Sequence, residues 1–157
     1  MRTEIRYVVG DATRPDAAGN KVIVHVCNDV GGWGKGFVMA LSKRWPGPEA
    51  QYRAWHQDQD GFELGAVQFV SVGGELWVAN VIGQQGLRPS GGVPPIRYEA
   101  IRAGLRRVAV FAAEHEASVH MPRIGCGLAG GKWEEIEPLI HTELSDKGIL
   151  VTVYDFA

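Results

Sequence analysis

Lys21-Val22-Ile23-Val24-His25-Val26-Cys27-Asn28-Asp29-Val30-Gly31-Gly32-Trp33-Gly34-Lys35-Gly36 passes from an almost unbroken apolar run into four glycines within six residues. Continuous hydrophobicity up to Cys27, rather than alternation, marks a strand buried on both faces. Beyond the glycines, Phe37, Leu41 and Trp45 recur at i, i+4 and i+8, and Pro46-Gly47-Pro48 stops that pattern. The stretch therefore reads as strand, Gly-rich turn, helix. At such a junction backbone N–H groups can approach a ligand closely, and the helix N-terminus adds partial positive charge. The competing reading is a turn that merely needs positive φ.

Working outward, Ile5 to Val9 is a short β-rich run closed by Gly10-Asp11. Ala66 to Val72 and Leu76 to Ile82 are parted by Gly73-Gly74, the signature of a hairpin. Ser118 to Ile124 and Ile149 to Tyr154 are the last two strands. Helical spacing covers Phe37 to Trp45, Pro48 to Gln59, Pro95 to His115 and Glu134 to Lys147, the last ended by Gly148. Strands alternate with helices except at the hairpin, which predicts an α/β layer architecture with a mixed sheet covered on both faces. Gly83 to Pro95 is the one long flexible stretch, and a loop that long in a compact domain is often functional.

Length and composition fit one domain with a real core: 157 residues, 45% hydrophobic and 22% charged. A net charge of −2 argues against nucleic acid or an anionic membrane as the main partner. A small anion is still allowed, because backbone N–H groups bind one without charged side chains. Two cysteines outside any CxxC pair, no signal-peptide pattern and no membrane-length apolar run lead to the expectation of a cytoplasmic protein.

A second Gly-rich loop is Pro122-Arg123-Ile124-Gly125-Cys126-Gly127-Leu128-Ala129-Gly130-Gly131-Lys132-Trp133. Gly125, Gly127 and Gly130 spell G-x-G-x-x-G. The dinucleotide fingerprint belongs to a βαβ unit with an acidic residue about 20 positions on; here one helix and one strand follow, closed by Asp155, but no second mononucleotide half, so the match is weak. Asp11 suits the exocyclic amine of a base, since a carboxylate only accepts hydrogen bonds, and equally suits a plain turn. The five histidines lack metal-ligand spacing, so no metal is expected. His25 and His120 read as satisfied core histidines. Cys126 has no evident base and reads as a small loop residue rather than a nucleophile. Trp33 sits where it could lie against a ligand.

The order Gly10-Asp11, then Val24-His25-Val26-Cys27-Asn28 leading to Gly34-Lys35-Gly36, then Met121-Pro122-Arg123-Ile124-Gly125-Cys126-Gly127-Leu128 before Trp133, then Val151-Thr152-Val153-Tyr154, resembles a macrodomain over nearly the whole chain. It is most similar to the branch with terminal ADP-ribose protein glycohydrolase and the yeast-type ADP-ribose-1″-phosphate phosphatase. The resemblance implies a single three-layer α/β/α macrodomain over residues 1–157, with about six strands in a mixed sheet. ADP-ribose is the implied ligand, with no cofactor. Asp11 and Ala12 would take the adenine end. Asn28, Trp33, Gly34, Lys35, Gly36 and Phe37 would meet the distal ribose and diphosphate. Gly83 and Gln84 would border them, and Ile124, Gly125, Cys126, Gly127, Leu128 and Ala129 would wrap the diphosphate from the other side. The glycohydrolase uses a lysine where this chain has Gly83-Gln84-Gln85 and an aspartate where it has Ala129. Glutamine forms no Schiff base and alanine moves no proton.

Three functions follow as expectations. The first is hydrolysis of the ester between mono-ADP-ribose and acidic side chains of proteins, with Asn28, Asp29 and Gln85 as candidate catalytic residues. The others are a non-catalytic ADP-ribose reader and an ADP-ribose-1″-phosphate phosphatase. The expected partners are ADP-ribose and mono-ADP-ribosylated proteins, and the expected state is a monomer.

Overall fold

A computed structural model describes residues 3–156. Six strands make one mixed sheet: β1 (Arg6–Val9), β2 (Lys21–Asn28), β3 (Val67–Gly73), β4 (Leu76–Gln84), β5 (Ser118–Met121) and β6 (Val151–Asp155). Their order is β1-β6-β5-β2-β4-β3. Every neighbouring pair is parallel except β3 with β4, the hairpin turned by Gly73 and Gly74 at positive φ. The helices are α1 (Phe37–Arg44), α2 (Gly47–Asp58), α3 (Tyr98–His115) and α4 (Trp133–Glu143).

Alternation along β2 divides the core. Val22 and Val24 point to α3 and α4, where Leu105, Val108, Ile136 and Ile140 are fully buried. Ile23 and Cys27 point the other way, to Leu41 of α1 and Tyr52 of α2. The sheet is thus covered on both faces, which is why β2 needed an apolar residue at nearly every position. Gly104 lets α3 press on the sheet, since a Cβ there would lie 2.4 Å from Val81.

Three boundaries differ from the expected ones by three residues or more. β5 ends at Met121, because Pro122 has no N–H for the ladder and the chain turns into the second loop. α3 starts at Tyr98 rather than Pro95. Ile96 and Arg97 lie extended instead, with Gln85 N donating to Pro95 O and Arg97 N to Gly83 O, so the end of the predicted flexible stretch is tied to β4. α4 ends at Glu143, and Gly148 (φ 83°) closes a separate 3-10 turn, Ser145–Lys147. The helix stops where Leu144 leaves the helical region (φ −120°, ψ −71°), and Ser145 O then accepts from Thr3 N and Thr3 Oγ1.

Candidate functional site

Strand order creates a crevice. After β2 the chain departs towards β4 and β3, and after β5 it departs towards β6, so the loops leaving these two adjacent strands diverge. Open α/β sheets bind ligands at such a switch point, at the carboxyl ends of the strands. A cleft of about 230 Å³ lies there. Lys35, Gly36 and Phe37 form one wall, and Ile124, Gly125, Gly127, Leu128 and Ala129 form the other. Gln84 and His25 line it as well. A larger groove of about 350 Å³ lies at the opposite end of the sheet, beside Glu116 and residues 147–150. It offers neither Gly-rich loop, so the smaller cleft is the candidate site.

The cleft's character comes from its backbone. Among the described residues, the N–H groups of Gly34, Lys35, Gly36 and Phe37 have no hydrogen-bond acceptor, nor do those of Gly127 and Leu128. Unpaired donors on two loops that line one cleft, one of them opening a helix, suit an anion. Gly36 has φ 82° and ψ −145°, and a Cβ at Gly34, Gly36 or Gly127 would meet nothing within 4 Å. The backbone is therefore open to a ligand there. Gly125 (φ 73°) is different: a Cβ would lie 2.6 Å from Ile96 Cδ1, so packing also demands glycine. Lys35 is the cleft's cation without a carboxylate partner, because Arg123, also at the rim, is bound to Asp155 at 2.6 and 3.0 Å.

His25 forms part of the floor, 2% exposed, with Nε2 against Asn80 Oδ1. Burial lowers its pKa to about 4, so the ring is neutral at pH 7. Burial raises the Cys126 thiol, despite the nearby Arg123 guanidinium, which keeps it protonated and poorly nucleophilic.

Several expected contacts sit elsewhere. Trp33 is 5% exposed and packs edge-on against His25 at 5.3 Å, with Nε1 donating to Ser42 Oγ; it is a core residue behind the loop rather than a ligand platform. Gly83 is buried under α3, where a Cβ would lie 2.8 Å from Ile101. Ala12 is also buried. Asn28 Oδ1 accepts from Val30 N, Gly32 N and Tyr52 Oη, and its Nδ2 donates to Gly32 O, so the amide braces the first loop from inside. Asp29 Oδ1 accepts from Gly86 N at 2.8 Å. Gln85 turns away to accept from Arg97 Nε at 3.1 Å.

At the β1 end, Asp11 Oδ1 closes a turn on Thr13 N and Oγ1, and the half-buried carboxylate keeps Oδ2 outside those bonds. Gly10 N donates to Asp155 O, placing the 83% exposed Phe156 next to that turn. An exposed aromatic next to a carboxylate with one oxygen to spare suits a purine. Sequence reasoning missed Phe156, although an apolar residue just past a strand's carboxyl end was a usable signal. It also missed Arg123, whose partner Asp155 is distant in sequence.

The sequence matches the Macro domain family over residues 24–140. The chain belongs to the Macro domain family. This macrodomain is 61% identical to the macrodomain protein of Streptomyces coelicolor, covering 98% of this chain and all of that one, with a TM-score of 0.88. A solved protein of Bacteroides thetaiotaomicron is 62% identical over 97% of this chain and 98% of its own, with a TM-score of 0.95. Among curated proteins, chromodomain-helicase-DNA-binding protein 1-like of Danio rerio is 35% identical over 97% of the macrodomain, which spans 16% of that relative's length. More distant are the ADP-ribose 1″-phosphate phosphatase of Candida albicans, 24% identical over 87% of this chain and 92% of its own, and Thermosipho africanus DarTG in complex with ADP-ribose, 19% identical over 88% of this chain and 38% of that one, TM-score 0.72.

Proposed function

We propose that the cleft binds ADP-ribose and that the protein hydrolyses the ester joining ADP-ribose to acidic side chains of proteins. The observation that carries this reading is that unpaired backbone N–H groups belong to two loops lining one cleft. They suit the two phosphates of a diphosphate, one loop to each side, and Lys35 adds the neutralising charge. The Asp11 carboxylate and Phe156 at the end of β1 and β6 would take the purine end of the ligand. The named relatives that act on or bind ADP-ribose are consistent with this ligand.

The proposed reaction is attack of water on C1″ of the distal ribose. The C1″–O bond to the carboxylate breaks, the side chain leaves as a carboxylate, and the water's proton passes to Asp29 or solvent. A carboxylate with a pKa of about 4.3 is a stable anion at neutral pH and needs no general acid to depart. Positioning by the loops and electrostatic stabilisation by their N–H groups then supply the catalysis, and no lysine or aspartate is required at Gln84 or Ala129. Asp29 has an oxygen not used by Gly86, whereas Asn28 and Gln85 are engaged within the protein and serve the site by bracing it.

One observation favours a binding role without turnover: all three candidate catalytic side chains already have intramolecular partners, and only Asp29 keeps an oxygen outside them. The experiment is incubation with a glutamate-linked mono-ADP-ribosylated peptide, with free ADP-ribose followed by chromatography. Release that grows with enzyme and time is expected. Tight ADP-ribose binding with no release would leave the reader role instead.

A further inference from the structure

The first Gly-rich loop is held by one face of α2. Glu49, Tyr52, Arg53 and His56 are spaced 3, 4 and 7 apart, which places them on one side of the helix. Each touches the loop or its supports. Tyr52 Oη lies 2.6 Å from Asn28 O and 3.0 Å from Asn28 Oδ1. Arg53 donates to Gly31 O at 3.2 Å and is paired to Glu49 at 2.9 Å. Glu49 accepts from Ser42 Oγ, which accepts in turn from Trp33 Nε1. His56 lies so close to Gly31 that a Cβ there would be 2.4 Å from its Nδ1.

Tyr52 is the buried member of this face, with no exposed surface, packed on Trp33 at 5.5 Å and Phe62 at 5.8 Å. Burial pushes its hydroxyl well above the ordinary tyrosine value, so it remains a donor at any physiological pH. The hydroxyl meets the very residue whose amide oxygen collects the Val30 and Gly32 N–H groups. The consequence is a division within one loop: its first half is closed on itself, and its second half, Gly34 to Phe37, keeps its N–H groups unpaired.

We infer that Tyr52 is a positioning residue, which through Asn28 holds the first Gly-rich loop in its ligand-ready form before any ligand arrives. The inference rests on the proposed ADP-ribose site and concerns how that site is kept open. A loop ordered in advance loses less conformational freedom on binding, and this ordering appears as affinity.

The test has two arms. In the first, Tyr52→Phe keeps the ring in the core and removes only the hydroxyl. Calorimetry with ADP-ribose is expected to show Kd raised about tenfold, with the variant still folding and melting cooperatively. A purely structural role predicts a lower Tm with unchanged Kd, and that result overturns the inference. In the second arm, amide exchange is followed in the wild-type protein without ligand. Val30 and Gly32 are expected to be protected, while Gly34, Lys35 and Gly36 exchange fast and become protected only when ADP-ribose is added. Equal, fast exchange of Val30 and Gly32 overturns the inference even if Tyr52→Phe does not fold. If wild-type protein fails to bind ADP-ribose, the ligand assignment falls, and protection of Val30 and Gly32 still decides whether the loop is pre-ordered.

Discussion

Gly36→Ala and Gly125→Ala should do different things, although both glycines sit at positive φ in the two loops that form the cleft. Gly125 has φ 73°, where an L-residue costs about 1–2 kcal/mol. Its new Cβ would also stand 2.6 Å from Ile96 Cδ1 and 3.0 Å from Ile136 Cδ1. Both isoleucines are almost fully buried, so neither can swing aside without disturbing the α3–α4 core, a further cost of about 1–3 kcal/mol. The sum is roughly 2–5 kcal/mol, which for a chain of this size lowers Tm by about 4–20 °C. Gly36 has φ 82° and ψ −145°, a region nearly restricted to glycine, but a Cβ there would meet nothing within 4 Å. Its strain, about 1–3 kcal/mol, can be relieved by the exposed loop moving. That movement carries the Gly34 to Phe37 N–H groups out of register. Gly36→Ala should therefore melt within about 3 °C of wild type and lose ADP-ribose affinity by about tenfold or more. Thermal melts and calorimetry on the two variants decide it. A Gly36→Ala protein that binds as tightly as wild type would refute the idea that this backbone holds the ligand.

The remaining expectations are simpler. Glu143 is 3% exposed, and Arg106, Lys147 and Arg102 hold its pKa at about 2, against 4.5 unperturbed. That stabilisation is complete above pH 4.5 and is lost as the pH falls towards 2, so Glu143→Gln should cost about 1–3 kcal/mol at pH 7 and almost nothing near pH 2, measured by urea melts at both. Serine-linked ADP-ribose should resist the enzyme, because an alkoxide leaving group needs an acid that Ala129 does not supply; release at the rate seen for the glutamate ester would contradict the proposed mechanism. Cys126→Ser should retain ester hydrolysis within about threefold, since the thiol is held protonated by burial; loss of all activity would instead mark it as a nucleophile.

Most of the architecture could be read from local pattern. The all-apolar β2, the Gly73-Gly74 hairpin and the stripe on α3 each carry their periodicity in a short window, and all six strands and four helices lie where these patterns put them. One error at a helix end comes from a longer-range bond. At the start of α3, Gly83 takes the Arg97 amide, a partner not visible within one turn of the helix. The same reason limits the site. Glycine clusters announce exposed N–H groups, because the signal lies in the residue type itself. Asn28 and Trp33 look equally available in the sequence, yet both are claimed by residues of α1 and α2 that only folding brings near. Gln85 is claimed by Arg97 in the same way.

The most direct measurement is the amide spectrum of labelled protein titrated with ADP-ribose. The Gly34, Lys35, Gly36, Gly127 and Leu128 resonances should shift together and saturate, as both walls of the cleft close on one diphosphate. Shifts confined to the groove beside Glu116 and Lys147, or no saturable change in either Gly-rich loop, would contradict the account.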